Sequence, residues 1–350
     1  MYRTFAGGIY DCPDVSAYNF YDVLDVKEIS IHGLYNTRAL RKYCRMPEDV
    51  ASRTSKSVES LNYNTSGGRI RFSTNSPSIA VRFIESNVIL YQNMSVSASA
   101  GIDVYISKNR IRQSYLATLK PQLDPHADCV HILNLGEGTK ELTLYLPIYN
   151  PLDKLEIGIC DGYSIYEPAP YADMPPIVYY GSSITQGGSV SRPGLTYQAK
   201  ICRESGIDYT CLGFSGSAKG EDAMIEYLAS LDMSAFVSDY DHNANDDELL
   251  NTHEKLYKKV RANHPDIPYI IIGKPDVSIN YHHRRSIVFG TYDRARKNGD
   301  NNVFYIDSYM LFGGHGREDC TVDGCHPNDL GMHRMSDAIG SVVLKALKVI

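Results

Sequence analysis

Residues 177–188 read Ile-Val-Tyr-Tyr-Gly-Ser-Ser-Ile-Thr-Gln-Gly-Gly, and this stretch decides the fold. Four apolar or aromatic residues in a row suit a strand buried on both faces, as in a parallel sheet covered by helices. The small and hydroxyl residues that follow mark a tight turn into a helix. The same grammar repeats to the C-terminus, with strand-like runs at 208–212, 235–240, 269–272 and 303–306. Helical patterns lie near 194–205, 219–230, 246–263, 283–298 and 328–348. The alternation predicts a three-layer α/β/α domain over residues 177–350 around a five-stranded parallel sheet. In such sheets ligands and reacting groups gather on the loops that leave the carboxyl ends of the strands.

Outward from this domain, residues 166–176 form a Pro-rich linker containing Pro168, Pro170, Pro175 and Pro176. Ahead of it the pattern changes. Short β-rich runs at 68–73, 78–83, 101–106, 131–135, 140–146 and 154–159 alternate polar with apolar residues and are separated by turns. They predict an antiparallel β-sandwich, jelly-roll-like, over residues 1–165. A chain of 350 residues is long enough for two such domains.

With 35 basic and 41 acidic residues the net charge is −6, which gives no basic field for nucleic acid. No run approaches the ~20 apolar residues of a membrane span, and the first residues lack the apolar stretch of a signal peptide. The expectation is a cytoplasmic protein with neither nucleic acid nor membrane as partner. Cys12, Cys44, Cys129, Cys160, Cys202, Cys211, Cys320 and Cys325 show no metal-finger spacing, so thiols are expected.

Three strand-end loops and one C-terminal loop carry groups that suit nucleophilic catalysis. Ser183 stands where the first strand turns into a helix, a place where a hydroxyl is exposed yet rigidly held; an ordinary connection or an anion nest uses the same residues. The second strand ends in Leu212-Gly-Phe-Ser-Gly216, where the Gly216 N–H can approach a ligand. The third ends in Asp239-Tyr-Asp-His-Asn243, whose amide can donate a hydrogen bond. Near the C-terminus, Asp323 precedes His326 by three residues on a tight loop. That spacing lets the carboxylate accept from imidazole Nδ1 while Nε2 faces a nucleophile.

The order Gly-x-Ser-x-Thr, Ser-Gly, Asn and Asp-x-x-His-Pro resembles the SGNH (GDSL-like) hydrolase family over about 177–350. The resemblance implies Ser183 as nucleophile, Asp323 and His326 as its triad partners, and Gly216, Asn243 and the Ser183 amide as oxyanion donors. Three positions depart from the family pattern: Ser182 replaces the usual Asp before the nucleophile, Asp241-His-Asn-Ala244 replaces Gly-x-Asn-Asp, and Cys211 stands where an Asn often precedes the Ser-Gly turn. Upstream, Gly101-Ile-Asp-Val-Tyr105 is similar to the Gly-x-Asp-Leu-Tyr signature of a sandwich domain found before some SGNH esterases. Asp103 is the residue there to examine first.

What the resemblance implies is a serine esterase that removes short acyl groups, acetyl foremost, from carbohydrate O-esters without metal or organic cofactor. The expected partner is an acetylated oligosaccharide or another small acyl ester, with a homo-oligomer left open. An acyltransferase using the same triad is the alternative; a decayed carbohydrate-binding protein is a further one. The sandwich is expected to bind carbohydrate or to wall the substrate site. With 27 Tyr and no Trp, Tyr179, Tyr180, Tyr240 and Tyr281 are candidates to stack on sugar only by their positions near the sheet edge, since Tyr more readily fills sandwich cores and interfaces. The His282-His-Arg-Arg285 run reads as a solvated helix start.

Overall fold

The computed structural model describes residues 3–5, 8–10, 14–107, 113–121, 130–275 and 282–349. Its C-terminal half is built on five parallel strands, Ile177–Gly181, Tyr209–Gly213, Ala235–Asp239, Tyr269–Ile272 and Val303–Ile306. Their spatial order is second, first, third, fourth, fifth. Side chains of the first strand alternate between two cores: Ile177 and Tyr179 face helices Tyr197–Ser205 and Asp329–Ala346. Val178 and Tyr180 face Asp222–Ser230, Asp246–Asn263 and His282–Lys297. Burial on both faces is the physical reason the strand sequences are apolar throughout. The order reverses beside the first strand, so the crevice between the carboxyl ends of the first and third strands is the topological switch point of the sheet.

Two strand ends are glycine because another backbone passes through the space a side chain would need. A Cβ on Gly181 would lie 2.2 Å from Asp239 O, and one on Gly213 would lie 2.2 Å from Gln186 N.

The N-terminal half is a sandwich of two antiparallel sheets. One has the order Tyr18–Asp22, Lys154–Cys160, Ser78–Ile84, Val130–Asn134. The other runs Ile165–Tyr166, Arg69–Thr74, Lys140–Tyr145, Ile102–Ser107, Ser114–Leu119, with Ser30–His32 also paired to Arg69–Thr74. Between them lies a core that includes Phe72, Val81, Val104, Leu144 and Ile157.

The polar alternation in this half does not mark solvent. Strands Arg69–Thr74, Ile102–Ser107 and Lys140–Tyr145 are buried at every position, because the outer face of their sheet packs on the parallel-sheet domain. Arg69 pairs with Asp208 and lies 3.7 Å over the Tyr209 ring. Arg203 lies 4.2 Å over Tyr105. The short helices Glu48–Thr54 and Lys56–Leu61, which the β-rich reading did not foresee, place Val50, Ala51 and Val58 in the same core as Met224 and Leu228.

The Pro-rich segment is packed as well: Tyr171 lies under the Arg71 guanidinium at 4.1 Å and edge-on to His32 at 4.7 Å, and Ala172 N–H donates to Gly206 O. Among the described residues no helix is long and apolar enough to cross a membrane, and no disulfide joins Cys320 to Cys325. Cys12, Cys129 and Tyr281 lie outside the described residues.

Candidate active site

Ser182 caps the short helix Ser183–Gln186 that follows the first strand, its Oγ accepting from Ile184 N–H at 3.2 Å. The serine that replaces the expected Asp therefore satisfies one of the helix's free amides. Thr185 Oγ1 donates to Asp239 Oδ2 at 2.9 Å, tying this turn to the end of the third strand. Ser183 is 9% exposed. Its carbonyl accepts from Gly187 and Gly188 N–H and from Tyr149 OH, the last at 3.4 Å.

The C-terminal loop is closed on itself by Val322 N–H donating to His326 O at 3.0 Å, and Gly324 turns it with φ 82°. Asp323 Oδ1 accepts from the His326 and Cys325 amides at 2.8 and 3.0 Å. Asp323 Oδ2 lies 2.7 Å from His326 Nδ1, and His326 Nε2 lies 2.9 Å from Ser183 Oγ. The partners assign the imidazole proton to Nδ1 and leave Nε2 as acceptor. Partial burial works to raise the Asp323 pKa, but the His326 and Cys325 amides and the imidazole outweigh it and hold the carboxyl below its ordinary value. The structure thus brings Ser183, His326 and Asp323 into one hydrogen-bonded line.

Gly216 and Asn243 sit on the loops after the second and third strands, at the same sheet edge. Gly216 has φ 66°, and a Cβ there would meet open space, so the backbone turn rather than crowding calls for glycine. Asn243 Nδ2 donates to Phe214 O at 3.0 Å, which uses one amide proton, joins the two loops and leaves the other proton for a ligand. Cys211, at the position that departs from the family pattern, donates its thiol to Thr185 O at 3.1 Å.

Several supporting residues were not legible in the sequence. Gln186, fully buried, accepts from Ser215 N–H at 2.9 Å and donates to Ile148 O at 3.1 Å. Tyr149 and Ser66, which donates to Gln186 O at 2.6 Å, come from the sandwich half. A Cβ on Gly188 would lie 3.3 Å from Tyr149 OH and 3.4 Å from His326 Cδ2. The one available signal was Gln186 itself, an amide in a loop otherwise made of small residues.

Asp103, flagged by its motif, is fully buried and accepts from Thr118 Oγ1, Arg192 Nη1 and Gly194 N–H at 2.6, 2.8 and 2.9 Å. It holds the loop that follows Gly188 from the sandwich side. Tyr179, Tyr180 and Tyr240 are at most 1% exposed. They pack in the sheet's cores, the commoner role of Tyr, and are not available to stack on a sugar. Helix His282–Lys297 begins at the basic run, with His283 and Arg285 solvated, but Arg284 is packed inward, donating to Asp241 O and Ala244 O.

Behind the switch point, ligand atoms of Asp239, Asp241 and His242 lie within 4.8 Å of one another, the spacing a metal ion would need. Burial and the neighbouring Asp241 push the Asp239 carboxyl well above its ordinary pKa. Burial pushes His242 well down, and the positive charges of Lys274 and Arg284 add to that shift. Arg284 lies beside this cluster, its Nη1 donating to the backbone carbonyl of Asp241 and its Nη2 to the Asp246 carboxylate.

Both halves of the chain are similar to known proteins. The GDSL-like lipase/acylhydrolase family matches residues 174–344, and the N-terminal domain of SGNH-hydrolase-type esterases matches residues 18–165. A putative GDSL-like lipase from Bacteroides ovatus is 30% identical over 95% of this chain and 98% of its own, with a TM-score of 0.84. A salicylyl-acyltransferase from a tetracycline biosynthetic pathway shares the fold at 19% identity, over 93% of this chain and 96% of its own, with a TM-score of 0.75. An acetyl xylan esterase from the rumen bacterium Butyrivibrio proteoclasticus does so at 13% identity, over 96% of this chain and all of its own, with a TM-score of 0.61. No curated protein matches the chain. A relative 30% identical and matched along nearly its whole length, with both halves of this chain matched by family models, places this chain in the GDSL-like (SGNH) lipase/acylhydrolase family, in the branch that carries the Gly-x-Asp-Leu-Tyr type of N-terminal domain.

Proposed function

We propose that the protein is a serine esterase that removes short acyl groups, acetyl foremost, from carbohydrate O-esters. The observation that carries the chemistry is the line of hydrogen bonds from Ser183 through His326 to Asp323. Ser183 Oγ bonds to the ester carbonyl carbon while its proton passes to His326 Nε2, and the carbonyl electron pair moves onto oxygen. The Ser183 and Gly216 amides and the second Asn243 amide proton are the donors assigned to that oxyanion. Collapse expels the alcohol, which takes the proton from His326; water then repeats the sequence on the acyl-enzyme. No step calls for a metal or an organic cofactor.

The substrate class is supported by family membership and by the fold shared with carbohydrate esterases. The sandwich half is read as a wall of the substrate site rather than a separate binding module. Its Tyr91 packs edge-on against Tyr149 at 5.1 Å, and Ser95 donates to Ser191 O beside the nucleophile loop. Hydrolysis of p-nitrophenyl acetate, butyrate and octanoate beside an acetylated oligosaccharide tests the reading. Cleavage of acetate and the sugar ester alone supports it, whereas preference for octanoate or indifference to the sugar removes the substrate class. Acyltransfer is the second reading, favoured by the shared fold of the salicylyl-acyltransferase; ester products formed with added alcohols would reveal it.

A further inference from the structure

Three arginines of the N-terminal half, Arg45, Arg69 and Arg71, are almost wholly buried. Two meet carboxylates, Arg69 with Asp208 and Arg71 with Glu141. Arg45 does not: the ionisable groups that bear on it are the Cys211 thiol and the Tyr149 phenol, with no carboxylate among them. Its Nη1 donates to Gly213 O and its Nη2 to Leu61 O at 2.6 Å, while its Nε has no partner. The guanidinium lies 4.3 Å over the Phe214 ring. Burial pulls its pKa down to about 10, which leaves it charged at neutral pH.

A buried cation without an anion is strongly unfavourable, offset here only by its hydrogen bonds to Gly213 O and Leu61 O and its stacking on Phe214. Where the charge sits is therefore informative. Gly213 ends the second strand in register with Gly181, two residues before Ser183. Phe214, under the guanidinium, donates its N–H to Gly181 O and accepts from Asn243 Nδ2. Gly216 is two residues further along the same loop. The loop that carries Gly216, one of the three assigned oxyanion donors, is thus held from behind by a buried positive charge.

We propose that Arg45 is a positioning residue for the oxyanion site: tied to Gly213 O and stacked on Phe214, it fixes the 213–216 loop and supplies the charge that the tetrahedral intermediate on Ser183 balances. The proposal rests on the serine-esterase reading. It also gives the N-terminal half a part in the chemistry, because Arg45 reaches the catalytic domain from there.

The test uses the full chain with Arg45→Met, which removes the charge at similar length, and Arg45→Lys, which keeps it. Melting temperature, kcat and KM for p-nitrophenyl acetate are measured with inhibition by phenylboronic acid. The boron of that inhibitor takes the Ser183 Oγ lone pair as the proton passes to His326, giving a tetrahedral anion. Arg45→Met is expected to lower kcat about 10- to 100-fold and boronate affinity by a similar factor, with KM within about threefold. Arg45→Lys is expected to stay within about fivefold of the parent. A folded Arg45→Met protein with kcat and boronate affinity within about twofold of the parent overturns the proposal. So does Arg45→Lys losing as much as Arg45→Met at an unchanged melting temperature. Should Arg45→Met not fold, Arg45→Gln replaces it, and parent-like values there overturn the proposal equally. A Ser183→Ala protein that stays active, or a parent that ignores the boronate, strikes the serine reading itself and so is told apart.

Discussion

Ser183, His326 and Asp323 form a hydrogen-bonded line whose last member is tuned by the loop it stands on. The His326 and Cys325 amides and the imidazole keep the Asp323 carboxyl below its ordinary pKa, so it is ionised wherever an ordinary aspartate is. The acid side of the kcat/KM profile is therefore expected to show one ionisation, not two, when measured across that range. Asp323→Asn should leave KM little changed and lower kcat by about 100- to 10,000-fold, because the imidazole loses both its orientation and its stabilising charge. These three residues were legible in the sequence because each stands in a local motif at a loop that the strand pattern had already located. Arg45 and Gln186 were not. Arg45 meets Gly213 across 168 positions of chain, and no local pattern records such a contact.

At the scale of elements, the parallel half was readable because a strand buried on both faces must be apolar throughout, and its helices keep their period. The sandwich half was readable only in part. Strands Tyr18–Asp22 and Ser114–Leu119 and helices Glu48–Thr54 and Lys56–Leu61 were missed; the helices are short, and their apolar residues fill a core belonging mainly to the other domain. The polar alternation of Arg69–Thr74 and Ile102–Ser107 signals an exposed face in an isolated sheet, yet here it signals an interface. The glycine ends of the parallel strands give a direct test. Gly213→Ala would put a methyl 2.2 Å from Gln186 N, against backbone that can yield only by moving the nucleophile helix. A loss of about 1–3 kcal/mol in chemical denaturation is expected, with a fall in kcat.

The whole molecule is expected to unfold as one body, because the sandwich half braces the loops around the site, Asp103 on Gly194, Ser66 on Gln186 and Tyr149 on Ser183, while Arg69 ties it to Asp208 at the amino end of the second strand. Calorimetry is expected to give a single unfolding transition, and residues 170–350 alone are expected to lack esterase activity. Two separate transitions would show that the halves fold independently. The Asp208 ion pair adds a pH signature. Burial would raise this carboxyl, but the Arg69 charge and the hydrogen bond with His32 bring it down to about 2. A depressed folded-state pKa stabilises above the unfolded value and is lost as pH falls through the folded one. Asp208→Asn should therefore cost about 2–4 kcal/mol at pH 7, with the difference from the parent shrinking between about pH 4 and pH 2. Urea unfolding at both ends of that range checks it.

The most direct test of the central claim is to mix the enzyme with p-nitrophenyl acetate, quench in acid within the first turnovers, and locate the acyl group by peptide mass spectrometry. The account predicts one acetyl group on the peptide containing Ser183, released on longer incubation and absent from Ser183→Ala, which should also lose turnover. An acetyl group resident elsewhere, or undiminished hydrolysis by Ser183→Ala, would contradict it.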